Sequence, residues 1–159
     1  MLINMPIGWL IALNVFGWPV IHIVVAAIFT RLPATRFNPH SWLFRPRRWE
    51  TNSRPYQRIF SVKSWKALLP DGAPWFRGFS KRNLAGRGDV YLARFVRETC
   101  RSESAHWVML LGAGIFFLWN PLWADVVMVG YAIIANLPCI LAQRYNRVRL
   151  MRVLARRTP

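Results

Sequence analysis

Acidic residues are the scarcest charge in this 159-residue chain: six Asp and Glu stand against 22 Lys and Arg, for a formal net charge of +16. The basic residues are themselves missing from two long stretches. None precedes Arg31, and none falls between Ser102 and Gln143. There are two cysteines, no Cys-x-x-Cys pair, no glycine-rich phosphate loop, no His-x-x-x-Asp pair and no internal repeat. These absences exclude a disulfide framework, a thiolate zinc site and a P-loop nucleotide site. Glu103-x-x-His106 has the ligand spacing of di-iron bundles, but such sites need two of these motifs and further carboxylates. The chain has one, so no metal is expected.

What fills the uncharged stretches is apolar. The chain is 54% hydrophobic and has nine tryptophans. Met5 to Phe29 is long enough, at about 1.5 Å per residue, to cross a hydrocarbon core of about 30 Å. Leu122 to Leu141 is a second such run. Ala105 to Leu118 is shorter, ends at the turn signal Trp119-Asn120-Pro121, and reaches full length only if its helix begins upstream. The expectation is an all-α integral membrane protein forming one membrane domain over 1–159. Its transmembrane helices lie at about 5–30, 102–119 and 122–143. A basic interfacial segment, 31–101, carries short amphipathic helices, and a basic tail covers 144–159.

Positive charge marks the cytoplasmic side. The N-terminus is then outside, the 31–101 connection inside, the Asn120 turn outside and the tail inside, as for a multi-pass protein of the cell membrane. The first segment lacks a basic leader and is too long for a cleaved signal peptide. Nucleic acid is the other partner that so basic a chain suggests. Here the arginines flank hydrophobic spans, where anionic lipid accounts for them, so membrane lipid is expected and nucleic acid is not. Cys100 and Cys139 fall on the cytoplasmic side or within a span, so no structural disulfide is expected.

Inside the first span, Pro19 should kink the helix. His22 is a functional candidate by its depth, with a neutral imidazole bonded to a neighbouring helix as the plainer reading. In the connection, Arg54 to Leu69 predicts a helix along the membrane with Tyr56, Ile59, Phe60, Val62 and Trp65 partly buried. Pro70-Asp71-Gly72 predicts a turn, and Gly72 to Gly88 irregular structure. Asp89 is placed to cap a following helix.

That helix leads into the densest chemistry of the chain, Glu98-Thr-Cys-Arg-Ser-Glu-Ser-Ala-His-Trp107. At about 100° per residue, Thr99, Glu103 and His106 fall within about 60° of one another, with Ser102 between them and Glu98 on the flank. A carboxylate three residues before a histidine can hold the imidazole in one tautomer, as a general base requires. The alternative is a set of helix-surface charges at a membrane boundary. Cys100 points away from this face and is not favoured as a nucleophile. Extending the last span as a helix puts Asn136, Gln143 and Arg147 on one stripe, suited to line a polar pocket near the motif. Arg152, Arg156 and Arg157 read as membrane anchors.

Three blocks resemble a known family. The first is Trp65-Lys66 with Asp71-Gly72, preceded by Glu50. The second is Glu98-Thr99, Arg101, Glu103 and His106-Trp107, matching the pattern E-T-x-R-x-E-x-x-H-W. The third is Ala135-Asn136, Pro138 and Gln143-Arg144-Tyr145-Asn146-Arg147, continuing to Arg149-Leu150. Together with Thr30-Arg31 and Pro33, the sequence resembles the glycosyl-4,4'-diaponeurosporenoate acyltransferases, small membrane enzymes of carotenoid biosynthesis. The resemblance implies acyl transfer from a thioester donor, acyl-CoA or acyl-carrier protein, to a sugar hydroxyl of a lipid-soluble acceptor such as a glycosylated carotenoid. It requires no resident cofactor.

In that reading His106 is the base, Glu103 its orienter, and Glu98 completes the catalytic group. Arg144, Asn146 and Arg147 are donors to the oxyanion or to the donor's phosphates, with Asn136, Gln143 and Arg101 in the same substrate-binding set. A rival from another class is a non-catalytic membrane subunit that binds lipid, pigment or partner proteins within a membrane complex. The two readings part on whether Glu98, Glu103, His106 and Arg147 converge on a cavity.

Overall fold

A computed structural model describes residues 3–50, 53–69, 79, 86 and 88–157. The predicted turn at Pro70-Asp71-Gly72 and most of the irregular stretch to Gly88 lie outside the described residues. The regular elements among them are all helical, with no strand among the described residues.

Helix α1 runs Ile7–Arg31 and is continuous through Pro19. It ends where Leu32 takes up extended backbone (φ −70, ψ 131), the conformation that a following proline imposes. Its 25 residues extend about 37 Å. Trp18 is its one buried residue, while Ile7, Ile11, Val15, Phe16, Val20, Ile23 and Ile28 stand exposed around it. A helix that is apolar on every side and so little covered by protein is suited to lipid.

After α1 come short 3-10 turns at Ala34–Arg36 and Arg48–Glu50. Two short helices follow, α2 (Arg54–Phe60) and α3 (Val62–Trp65), the latter continued by a 3-10 turn over Lys66–Leu68. The single helix predicted across 54–69 is therefore broken. Ser61 sits between the two pieces at φ 47, in the left-handed region where helix cannot propagate. The break turns Tyr56 and Val62 inward against Ala142 and Tyr145, with Trp65 beside them. Ile59 and Phe60 stay exposed.

The remaining elements are α4 (Asp89–Leu111), a 3-10 run over Gly112–Leu118, and α5 (Leu122–Ala155). Gly88, rather than Asp89, occupies the cap position of α4. Asp89 is the first helical residue and accepts from Arg157 Nη1 at 2.9 Å. The short turn at Asn120 folds α5 back antiparallel to α4, and this pair is the closest packing of elements in the protein.

Two helices, α1 and α5, are long and apolar enough to cross a membrane; α4 is not. The span predicted at 102–119 is divided between the last turns of α4 and the 3-10 run. The 3-10 run opens at Gly112, and there and at Gly17 of α1 the missing Cβ lets the two elements come close. A Cβ on Gly112 would lie 3.1 Å from Ile21, and one on Gly17 would lie 3.0 Å from Phe116. Around this contact Trp18, Ala113, Phe116 and Ala132 form an apolar core. Beyond it, Asn14 and Asn120 exchange side-chain hydrogen bonds at 2.8 and 3.0 Å, and Trp119 Nε1 donates to Asn14 at 2.9 Å. At the opposite end Leu92, Phe95, Val96 and Leu150 form a second core between α4 and α5.

Candidate active site

Of the polar residues of α4, Glu103 and His106 meet α5, whereas Glu98 and Arg101 turn to the end of α1, so the expected single site divides into three groups. The first is a buried ion network. Glu103 is fully buried, and its two oxygens meet Arg144 Nη1 at 2.9 Å and Arg147 Nη2 at 2.5 Å. Arg144 also reaches Glu50 through Nε at 2.9 Å and Nη2 at 3.3 Å. Glu50 has no exposed surface and accepts in addition from the Tyr56 hydroxyl and the Arg47 backbone N–H. Arg147, 1% exposed, donates through Nε to the Phe44 carbonyl at 3.1 Å and lies over the Phe44 ring. Trp107 Nε1 donates to Glu103 at 3.3 Å.

Two carboxylates are thus balanced by two guanidiniums in one place, as buried charge requires. The effect is structural: the 43–56 segment of the connection is tied to α4 and α5 at once. Burial alone would raise the Glu50 carboxyl. The bonds from Arg144, Tyr56 and Arg47 outweigh it, and the group is held below the usual carboxylate range. The Tyr56 hydroxyl is pushed up, first by burial and then by its bond to Glu50.

The second group is His106 with Asn136. His106 Nδ1 lies 3.0 Å from Asn136 Oδ1. The Asn136 amide is itself oriented, because its Nδ2 donates to the Ala132 carbonyl at 3.0 Å. The oxygen therefore faces the ring and can only accept, so Nδ1 carries the hydrogen and Nε2 carries the lone pair of the neutral imidazole. The sequence assigns this orienting part to Glu103. The structure gives Glu103 to the arginines and places Asn136, one helix across, at Nδ1.

The third group lies at the end of α1. Glu98 pairs with Arg101 at 2.6 Å, one turn along the same helix. Arg101 Nη1 also donates to the Thr30 and Leu32 carbonyls, at 3.2 and 2.9 Å. It thereby satisfies carbonyls that the end of α1 leaves open. Glu98 and Arg101 line a cleft of about 640 Å3 bounded also by Thr30–Thr35. Neither His106 nor Arg147 lines that cleft or its neighbour.

Of the remaining predicted residues, Gln143 is half-buried, and no side chain or backbone group meets its Oε1. Asn146 accepts from Lys66 Nζ at 2.9 Å. Lys66 also lies over the Tyr145 ring. Burial, then Arg149 and Lys63 nearby, hold its ammonium below its usual range. His22 packs between the Trp18 and Tyr131 rings, and its buried Nε2 has no protein partner, so the expected bond to a neighbouring helix is not made there.

Sequence reasoning did not assign Glu50 and Tyr56 to this network. The signal available was rarity: Glu50 is one of six acids in the chain and follows directly on Arg45, Arg47 and Arg48. An acid in such surroundings is held by charge, but its partner, 94 residues away, is not legible from local spacing.

A family model described as glycosyl-4,4'-diaponeurosporenoate acyltransferase matches residues 39–156, which include the ion network, the His106–Asn136 pair and Glu98 with Arg101. The protein of that name from Staphylococcus aureus (strain bovine RF122 / ET3-1) is 31% identical over 144 residues, covering 88% of this chain and 87% of the relative. Its counterpart from Staphylococcus haemolyticus (strain JCSC1435) is 31% identical over 134 residues, covering 84% and 78%. No solved structure matches the chain. A match running through the connection, the α4 motif and the α5 stripe, in that order, leaves one assignment: the chain belongs to the glycosyl-4,4'-diaponeurosporenoate acyltransferase family.

Proposed function

We propose that this protein transfers a fatty acyl group from a thioester donor to a sugar hydroxyl of a lipid-soluble acceptor, such as a glycosylated carotenoid. The observation that carries the mechanism is the His106–Asn136 pair, with Nδ1 committed to Asn136 Oδ1 and the lone pair on Nε2. Nε2 takes the proton of the acceptor hydroxyl as its oxygen attacks the thioester carbonyl. The tetrahedral intermediate then collapses, the C–S bond breaks, and the departing thiolate recovers the proton from the imidazolium. Asn136 is a positioning residue. The Glu50–Glu103–Arg144–Arg147 network holds α4 and α5 in the register that brings His106 and Asn136 together. Arg144 and Arg147 serve this arrangement by holding the two carboxylates, since the donors of Arg144 are engaged by Glu50 and Glu103.

The membrane arrangement belongs to the same proposal. α1 and α5 cross the bilayer, and the second half of α4 with the 3-10 run completes a third, shorter passage packed between them. Asn120 lies outside, while the connection, the site and the C-terminal end of α5 lie at the cytoplasmic face. The lipid-soluble acceptor reaches the site from the leaflet, and the donor from the cytoplasmic face. The donor is acyl-CoA or acyl-carrier protein.

The rival reading, a non-catalytic subunit that binds lipid or pigment, draws on two observations: Glu98, Glu103, His106 and Arg147 do not converge on one cleft, and Glu103 and Arg147 are sealed by their partners. Purified protein in detergent, given an acyl-CoA and a glycosylated carotenoid, separates the two. His106→Ala should lower transfer by about 10²–10⁴-fold, the usual contribution of a general base. Undiminished transfer by a folded His106→Ala protein removes His106 as the base. Absence of transfer by the wild type favours the rival.

A further inference from the structure

The cleft beside Glu98 has an electrostatic character that the ion network does not explain. Its walls are the end of α1, the extended chain that follows, and the first turns of α4. Arg94, Arg97 and Arg101 recur on α4 at spacings of three and four, hence on one face. Arg31 comes from the opposite wall. Four guanidiniums therefore meet one carboxylate, Glu98, and that one is already held by Arg101 at 2.6 Å. Arg101, with 12% of its side chain exposed, closes the floor through its bonds to the α1 carbonyls. Arg31, Arg94 and Arg97 are exposed, and no ion pair to any of them occurs among the described residues.

Arg94 is not loosely placed, since its guanidinium lies 5.2 Å from the Phe79 ring centre. Arg97 and Thr35 are shared with an adjoining cleft of about 620 Å3, whose walls include Phe37, Val96, Met151 and Leu154. The basic cleft thus adjoins a second one of mixed lining, where Asn38 and His40 stand beside these apolar side chains. His106 lies nine residues beyond Arg97 on the same helix, about 14 Å along its axis.

We infer that this cleft binds the phosphate groups of a coenzyme A-type acyl donor, with Arg31, Arg94 and Arg97 as the phosphate contacts. Phosphate binding at the cleft stands on the geometry alone; calling the ligand the donor rests on the acyl-transfer reading. Guanidinium pairs suit phosphate because they offer parallel N–H donors at fixed spacing. Arg144 and Arg147, by contrast, already have their donors turned to carboxylates. An anionic lipid headgroup presents the same phosphate chemistry, so the test must tell the two sources apart.

The full chain in phosphatidylcholine nanodiscs is titrated with coenzyme A and, separately, with pantetheine, which lacks the phosphates. The expected result is coenzyme A binding at least tenfold tighter than pantetheine. The Arg94→Gln/Arg97→Gln double variant should lose at least tenfold for coenzyme A and keep its pantetheine affinity. Arg31→Glu on the facing wall tests the same cleft without altering α4, should the double variant fail to fold. Coenzyme A binding that ignores all three arginines overturns the site. So does a wild type that binds no coenzyme A in phosphatidylcholine but retains phosphatidylglycerol in an arginine-dependent way, which would make the cleft a headgroup site. Acyl transfer measured on the same samples keeps the two claims apart: transfer with arginine-independent coenzyme A binding refutes the cleft and spares the enzyme, and the reverse result does the opposite.

Discussion

Replacing Glu103 by Gln is the sharpest test of the ion network. The substitution keeps the side-chain volume and removes one negative charge from a fully buried position. Arg144 retains Glu50, at 2.9 and 3.3 Å, and part of its side chain reaches solvent. Arg147 has no such recourse. It is 1% exposed, and without Glu103 it faces the Phe44 carbonyl and the Phe44 ring. Breaking a buried pair by removing one partner costs about 3–5 kcal/mol, because the remaining charge is uncompensated. For a chain of this size each kcal/mol moves the midpoint by about 2–4 °C, so the apparent Tm should fall by about 6–20 °C.

The assay is thermal unfolding of purified protein in one detergent, followed by tryptophan fluorescence. A double substitution with Glu50→Gln should fall short of the sum of the singles, since both acids share Arg144. From sequence, Glu103 is the orienter of His106, and Glu103→Gln should then keep the fold and lose only turnover. A Glu103→Gln protein within about 2 °C of wild type would refute the structural argument.

Two further outcomes follow from the same geometry. Cysteine labelling should place Asn120 outside and Arg157 in the cytoplasm; finding both on one side would end the three-passage arrangement. The Glu50 carboxyl is held below its ordinary value, so its stabilisation is present in full above the ordinary carboxylate range and fades as pH falls through the depressed value. Glu50→Gln should therefore flatten the loss of stability on acidification in that window, and an unchanged acid profile would show that Glu50 is not the group responsible.

Sequence alone determined the helical class, the family and the pairing of α4 with α5. The reason is that these rest on local periodicity, composition and a short turn. An apolar run as long as Ile7–Arg31 has few alternatives to helix, and the Asn120 turn leaves α5 nowhere to go but back along α4. The helical wheel also put Glu103 and His106 on one face, and Asn136 and Arg147 on the facing one.

Which of these groups meets which was decided only by tertiary structure. A shared helical face is wide enough for several partners, and electrostatics over the whole neighbourhood chooses among them. Two arginines from α5 competed for Glu103 and took it, leaving the amide of Asn136 for His106. Glu50 entered from a distant segment, where the Arg144 guanidinium compensates its buried charge. The change of α4 into 3-10 winding at Gly112 is of the same kind. Gly112 lies where Ile21 of α1 approaches, and that approach is not written in the spacing of residues along one helix.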